Sequence, residues 1–122
     1  MRRLDVRIVH GADHAYVKGE AGHALVKNER DLIDLIGFCG EHHADRVLLF
    51  AENLPEKFFD LSSGEAGMVL QKFANYRVKV AAVLPASLVR GKFGEFVCET
   101  NRGGQFRVFQ SPDQAVQWLA AD

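Results

Sequence analysis

The sequence predicts an α/β protein with a mixed sheet of five strands and about four helices, in the order β-β-α-β-α-β-α-β-α. Two apolar runs, at residues 47–51 and 78–84, are typical of strands that are buried on both faces. Between and after them, apolar residues recur at the spacing of helices that bury one side. Strands that are joined by helices are expected to be parallel, with right-handed crossovers.

The first two strands are predicted as a hairpin, which makes the sheet mixed. Leu4, Val6 and Ile8 alternate with polar residues, as in a half-buried strand. A turn is predicted at Gly11-Ala12-Asp13, and a second strand begins at residues 15–17.

The first helix is predicted to begin at Asn28, a residue type favoured at helix N-caps. Its apolar face ends near Gly40, although the pattern also allows an extension to Ala44. The buried face consists of Leu32, Leu35, Ile36 and Cys39.

The third and fourth helices are predicted from their caps. Ser87 follows Pro85 and is expected to cap the third helix, which Gly103-Gly104 ends. A last strand follows around residues 106–109. Ser111, with proline next to it and glutamine at the third helical position, predicts the start of the C-terminal helix.

The segment 57–77 is central to the prediction because it joins the two apolar strands through a capped turn and a helix. Ser62 and Glu65 have the spacing of a capping box, in which each side chain bonds to the backbone N–H of the other. Gly64 and Gly67 are poor helix formers, and a glycine inside a helix suggests close approach of another backbone or a ligand. The predicted buried face consists of Ala66, Val69, Leu70 and Phe73.

The length and composition indicate one domain over residues 1–122 of an ordinary soluble protein. The formal net charge is −1, which gives no electrostatic reason to expect nucleic acid or a membrane surface as a partner. No apolar run approaches the ~18 residues of a membrane span. Cys39 and Cys98 are not part of a CxxC motif, so we expect free thiols and a cytoplasmic location.

The sequence contains no motif that indicates a metal, a cofactor or a catalytic centre. His42 and His43 are adjacent, so on a helix they point in different directions and do not form an i, i+4 ligand pair. Neither a dinucleotide fingerprint nor a phosphate-binding loop is present. We therefore expect no cofactor and no metal site, and we favour a protein that is not an enzyme, with an enzyme as the open alternative.

The segment KFFDLSSGEAGMVLQKFANYRVKVA resembles a bacterial family of uncharacterised proteins, domain of unknown function 4180. Five pieces of the family's pattern are present here: FFDL at 58–61, Gly at 64, AG at 66–67, QKF at 71–73 and NYR at 75–77. A further Phe-x-x-Glu-x-Asn piece is matched by Phe96, Glu99 and Asn101. The loop at residues 84–87 departs from the family's Gly-Asp-Phe-Ser pattern. The resemblance implies no known substrate or reaction.

The turn Asp60-Leu61-Ser62-Ser63-Gly64 also resembles the Asp-Ser-Ser-Gly turn of STAS domains, which include anti-sigma-factor antagonists, with one residue inserted after the Asp. In those proteins the turn lies between a strand and a helix, and a regulatory kinase phosphorylates one of its serines. The resemblance implies a STAS-like fold and makes Ser63 and Ser62 candidate phosphorylation sites. A phosphate at a helix N-terminus would be favoured by free N–H groups and opposed by nearby carboxylates.

Two hypotheses about function follow. In the first, the chain is a regulatory or protein-interaction module whose partner surface includes Asp60, Ser62, Ser63, Gly64 and Gly67; the partner is a protein, and a homodimer is one option left open. In the second, an anionic small molecule binds, with or without catalysis, in a polar pocket. That pocket is formed by Lys72, Tyr76, Arg77, Glu99 and Asn101.

Overall fold

A computed structural model describes residues 4–11 and 14–121. It confirms the predicted order of elements. The strands and helices are β1 Val6–His10, β2 Ala15–Gly19, α1 Glu29–Glu41, β3 Arg46–Phe50, α2 Glu65–Asn75, β4 Lys79–Val83, α3 Gly91–Thr100, β5 Phe106–Phe109 and α4 Pro112–Ala120.

The five strands form one mixed sheet in the spatial order β1-β2-β3-β4-β5, as predicted. β1 and β2 are antiparallel and confirm the hairpin, whereas β2, β3, β4 and β5 pair in parallel. Ala12 and Asp13 of the predicted turn lie outside the described residues.

The sheet carries a large core on one face and a small core on the other. Val47 and Leu49 point into the large core, together with buried residues of α1, α2 and α3, whereas Leu48 points the opposite way. This alternation is the period-two geometry of a strand. Three helices therefore cover one face, and α4 covers part of the other by packing on β3, β4 and β5.

Two cations from neighbouring strands hold the end of α4. Arg46 and Lys79 are paired in register across β3 and β4. Arg46 donates to the carbonyl oxygens of Leu119 and Ala121, and Lys79 Nζ donates to those of Trp118 and Ala121 at 2.9 and 3.0 Å. Cations are favourable at a helix C-terminus because the last carbonyls lack partners within the helix.

The helix boundaries confirm two predicted caps and correct a third. Asn28 and Ser111 accept from backbone N–H groups in the first turns of α1 and α4. Ser87 does not cap α3. Pro85 begins a 3-10 turn that Leu88 N closes on the Pro85 carbonyl at 3.0 Å, so Ser87 lies inside this turn and α3 begins later, at Gly91. α1 ends at Glu41, one residue beyond the predicted glycine.

Asn53 is a buried polar residue whose role was not predicted from the sequence. It follows β3, and its side-chain oxygen accepts from Phe50 N at 2.7 Å. Its amide nitrogen donates to the carbonyls of Glu20 and His23, both at 2.8 Å. One side chain thus ties the loop after β2 to the end of β3, with every hydrogen-bonding atom of the amide satisfied.

The longest helix in the described part of the chain has 13 residues. No helix there combines the length and the apolar character needed to cross a bilayer.

Candidate functional site

The turn before α2 is built by Asp60 and Ser63. Asp60 accepts from Ser62 N at 3.1 Å and from Ser62 Oγ at 2.6 Å. Ser63 Oγ lies 2.7 Å from the carbonyl oxygens of both Lys57 and Asp60, and it accepts from Glu65 N at 3.1 Å. The predicted capping box is therefore wrong. An additional 3-10 turn at 61–63 moves Ser62 away from the helix, and Ser63 satisfies the first N–H of α2 instead.

The two glycines of this segment have different roles. Gly64 is the N-cap of α2 and has φ +80°, in the left-handed region that glycine adopts without strain. Gly67 is exposed, and a Cβ built there has no atom within 4 Å beyond its own helix and chain neighbours. The expected close approach at Gly67 is therefore not present.

Aromatic packing fixes the turn against the start of α3. Phe58 is fully buried and packs edge-on against Phe93 of α3, with ring centres 5.9 Å apart. Phe59 packs against the same ring at 5.4 Å, also edge-on. Edge-to-face pairs at these distances are favourable beyond the area that they bury. The position of the 60–63 turn is thus set by the helix that follows the next strand.

The turn and the start of α3 enclose an open cleft of about 520 Å³. It lies beyond the carboxyl ends of β3 and β4, the edge of a parallel sheet where α/β proteins commonly bind ligands. Its volume falls within the range of about 300–1,000 Å³ typical of ligand sites. It is lined by Phe59, Asp60, Leu61, Ser62, Ser87, Leu88, Arg90, Lys92 and Phe93.

The cleft combines one carboxylate with two cations. Asp60 is engaged by Ser62, whereas Arg90 and Lys92 are exposed and have no ion pair or side-chain hydrogen bond with any described residue. Neither residue was predicted from the sequence as a site candidate. The signal that was available is the pair of basic residues flanking Gly91, in the loop and helix start that follow a buried strand.

The residues of the second predicted pocket have contacts in separate places. Lys72 pairs with Glu29 of α1 at 3.1 Å, and Glu99 pairs with Arg102 at 3.5 Å. Asn101 lies beside β5, where its side chain accepts from Val108 N at 2.8 Å and donates to Val108 O at 3.2 Å. Asn101 thus satisfies backbone groups on the outer side of an edge strand, which is a structural role.

Tyr76 and Arg77 lie at the end of α2, away from the cleft. Arg77 has φ +57°, and Tyr76 is 62 % exposed. Tyr76 lines a second cavity of about 450 Å³ with residues from the end of α1, including His43. The ring of the adjacent His42 packs on Phe38 instead, with centres 4.2 Å apart. Within residues 4–11 and 14–121, no three His, Cys, Asp or Glu side chains are grouped so as to hold a metal ion.

The two cysteines are free thiols, as predicted. Cys98 is exposed on α3, whereas Cys39 lies on the buried face of α1 and lines the second cavity. Burial raises the pKa of the Cys39 thiol from 9.0 to about 12, and the nearby Asp45 carboxylate adds to the rise.

Comparison with known proteins places the chain in a family. A family model described as "Domain of unknown function (DUF4180)" matches residues 12–119. The searches of curated proteins and of solved structures found no match. Because the family model covers well over half of the sequence, the likeness carried by the 58–77 segment is confirmed, and the chain belongs to the DUF4180 family.

Proposed function

We propose that this chain is a non-enzymatic recognition module that binds a protein partner through the cleft between the 59–62 turn and the 87–93 segment. The observation that carries the proposal is that Asp60 and Ser62 line one open cleft with Arg90 and Lys92. Clefts with an apolar base and a few convergent polar groups are the usual form of a binding site. An open cleft also admits a segment of a larger molecule.

The charges favour an acidic partner segment. Arg90 and Lys92 have no partner among the described residues, so an incoming carboxylate would not have to displace an existing ion pair. Phe59 and Phe93 provide an apolar surface between the two sides of the cleft. We therefore expect an acidic residue next to an apolar one in the partner, with electrostatics contributing to specificity and association rate.

A capture experiment with matched variants tests this proposal. The immobilised chain is exposed to an extract of its source organism, and the retained proteins are quantified for the wild type, for Arg90→Gln with Lys92→Gln, and for Arg102→Gln. Arg102 lies just beyond the other end of α3, so its variant controls for loss of a positive charge. The partner should be lost only from the double variant. Equal retention by all three proteins would reject the cleft as the binding surface.

Of the two candidate phosphorylation sites, we propose Ser62. It is exposed, it lines the cleft with the two cations, and its hydroxyl bonds to Asp60. A phosphate adds about −1.5 to −2 charges and would compete with an acidic partner for Arg90 and Lys92. The Ser63 hydroxyl instead bonds to the Lys57 carbonyl within the turn and accepts from Glu65 N, the first N–H of α2. Ser62→Glu should therefore weaken partner capture in a folded protein, whereas Ser63→Glu should lower stability.

The second candidate function is binding of a small anionic ligand in this same cleft. The volume of about 520 Å³ and the two cations, which have no partner among the described residues, favour it over a pocket near Lys72, Tyr76, Arg77 and Glu99. Titration with inorganic phosphate, followed by amide NMR shifts, distinguishes the candidates. Saturable shifts at residues 90–93 that Arg90→Gln abolishes would support a small-molecule site, and their absence together with partner capture would support the protein partner.

A STAS-like regulatory role in a bacterial cytoplasm is part of the proposal. The support for it is the position of the Asp60–Gly64 turn between a parallel strand and a helix, as in the STAS resemblance. The proposal includes the case in which the protein partner is a second copy of this chain, which would form a homodimer. Sedimentation of wild type and of the Arg90→Gln, Lys92→Gln variant tests whether the same cleft mediates self-association.

A further inference from the structure

The second cavity lies at the opposite edge of the sheet from the cleft, where α1 and α2 end and β3 and β4 begin. Its volume is about 450 Å³. Most of its base is apolar and buried, and Tyr76 stands at its rim with much of its ring exposed. It is lined by Ile36, Cys39, Gly40, His43, Ala44, Asp45, Tyr76 and Val78.

Two helices end at this cavity with the same backbone closure. Ala44 N donates to Cys39 O and Val78 N donates to Phe73 O, both at 2.9 Å, the bond that characterises a Schellman motif. The residue that turns the chain in each motif is left-handed although it is not glycine: His43 has φ +55° and Arg77 has φ +57°. These closures fix His43 and Tyr76 at the mouth of the cavity.

The electrostatics of the cavity favour a cation. The C-terminal ends of both helices carry partial negative charge because the peptide dipoles align along each helix. The last turn of α1 contains no basic residue. Of the two cations at the end of α2, Lys72 is paired with Glu29 and Arg77 is exposed to solvent. Asp45 adds a full negative charge to the lining, with Arg46 Nε 3.7 Å from its carboxylate.

We propose that this cavity binds a small organic ammonium ion that carries a short apolar chain. The ammonium group is attracted by Asp45 and the helix ends, and it lies against the exposed ring of Tyr76, whose face favours cations. The apolar chain packs on Ile36, Cys39 and Val78. This site is separate from the cleft in the proposed function and does not depend on it.

Titration with three matched probes tests the proposal. Butylammonium, butanol and butyrate share the apolar chain and differ in charge. We expect saturable amide shifts at residues 39–45 and 76–78 with butylammonium, an affinity about tenfold lower for butanol, and no saturation with butyrate. Comparable binding of all three probes, or none by butylammonium, would overturn the proposal.

Variants assign the binding to the named side chains. Asp45→Asn preserves the shape of the side chain and should weaken butylammonium binding by about tenfold, and Tyr76→Ala by about fivefold. Glu95→Gln removes an exposed carboxylate from α3 and is the control, with no expected change. Unchanged affinity in folded Asp45→Asn and Tyr76→Ala would also overturn the assignment. The amide spectrum in the same titration shows whether each variant is folded.

Discussion

Gly19 and Asn53 fit together so closely that a Cβ atom at position 19 would lie 2.9 Å from Asn53 Cγ. Gly19 ends β2, and Asn53 follows β3, the neighbouring strand. The absence of a side chain at Gly19 makes room for an amide that bonds to Phe50, Glu20 and His23. The two ends of the strands are therefore held together by an interlocking pair.

This pair predicts a non-additive double-mutant cycle. Asn53→Ala should lower the free energy of unfolding by about 3 kcal/mol because Phe50 N and the His23 carbonyl lose their partner and the Glu20 carbonyl loses one of its two donors. Gly19→Ala should cost about 2 kcal/mol by overpacking. The double variant should cost clearly less than the sum, since removal of the amide at position 53 vacates the space that the added methyl group at position 19 needs. Urea unfolding measures all four proteins, and additive effects would contradict the proposed fit.

The two glycines at the start of α2 predict changes of opposite sign. Gly64→Ala should destabilise the fold by about 1 kcal/mol because an alanine is strained at φ +80°. Gly67→Ala should stabilise it by up to about 1 kcal/mol, since the position is exposed, helical and open. Each variant controls for the other in thermal or urea unfolding. A stabilising Gly64→Ala would show that the turn does not need a left-handed residue.

Removing Asn101 should both destabilise the protein and open its sheet edge. The side chain bonds to Val108 N and O on the outer side of β5, so Asn101→Ala should cost about 2 kcal/mol. It also exposes strand groups that can pair with another chain, and we expect increased self-association in sedimentation experiments. Asn75→Ala, at an exposed helical position, should change stability by less than about 0.5 kcal/mol.

Cys39 predicts a loss of stability at alkaline pH. In the unfolded chain its thiol ionises around the ordinary pKa of 9.0, whereas burial raises the folded pKa to about 12. Below pH 9 both states hold the proton and this group contributes no pH dependence. Above pH 9 the unfolded state binds fewer protons, so unfolding should become easier by at most about 1.4 kcal/mol per pH unit from this group.

The Cys39→Ala variant isolates this effect. Its baseline stability is lower, but its decline between about pH 9 and pH 11 should be shallower than that of the wild type. If stability declined equally with pH in the wild type and in Cys39→Ala, the Cys39 thiol would have the same pKa in the folded and unfolded states. A thiol reagent gives a second readout, because it should modify the exposed Cys98 in the folded protein and reach Cys39 only on unfolding.

Lys79 should contribute to stability through α4. Its ammonium lies 4.4 Å from the centre of the Trp118 ring and donates to carbonyls at the end of the helix. Lys79→Met retains the apolar stem but loses these interactions, and should cost about 2 kcal/mol. Lys92→Met, which removes a cation with no partner among the described residues, should change the free energy of unfolding by less than about 0.5 kcal/mol in the same assay.

Periodicity explains how much of the fold was predictable. The apolar runs around Leu48 and Ala81 identify buried strands, and helical spacing together with cap residues identifies the four predicted helices. The 3-10 turns at 61–63 and 86–88 have no such repeat, so the caps assigned to Ser62 and Ser87 were misplaced. Their short local hydrogen bonds leave no hydrophobic pattern to detect.

Only one side of the candidate cleft, the 60–64 turn, could be predicted from the sequence. The Asp60–Gly64 turn stands out in the sequence, but Arg90 and Lys92 are about 30 residues away from it, and only the parallel pairing of β3 with β4 brings the two loops together. Asn101 illustrates the opposite error. Its place in a family-like motif suggested a ligand, whereas its amide bonds to the backbone of a neighbouring strand.

The position of α4 has a consequence for synthesis. Leu48 and Ala81, on β3 and β4, are covered by Ala115 and Leu119 of a helix that is translated after all five strands. Until that helix has left the ribosome, a nascent chain leaves the apolar residues of this sheet face uncovered, next to the cations Arg46 and Lys79. Ribosome pausing before Pro112 should therefore prolong the interval in which chaperones bind this chain.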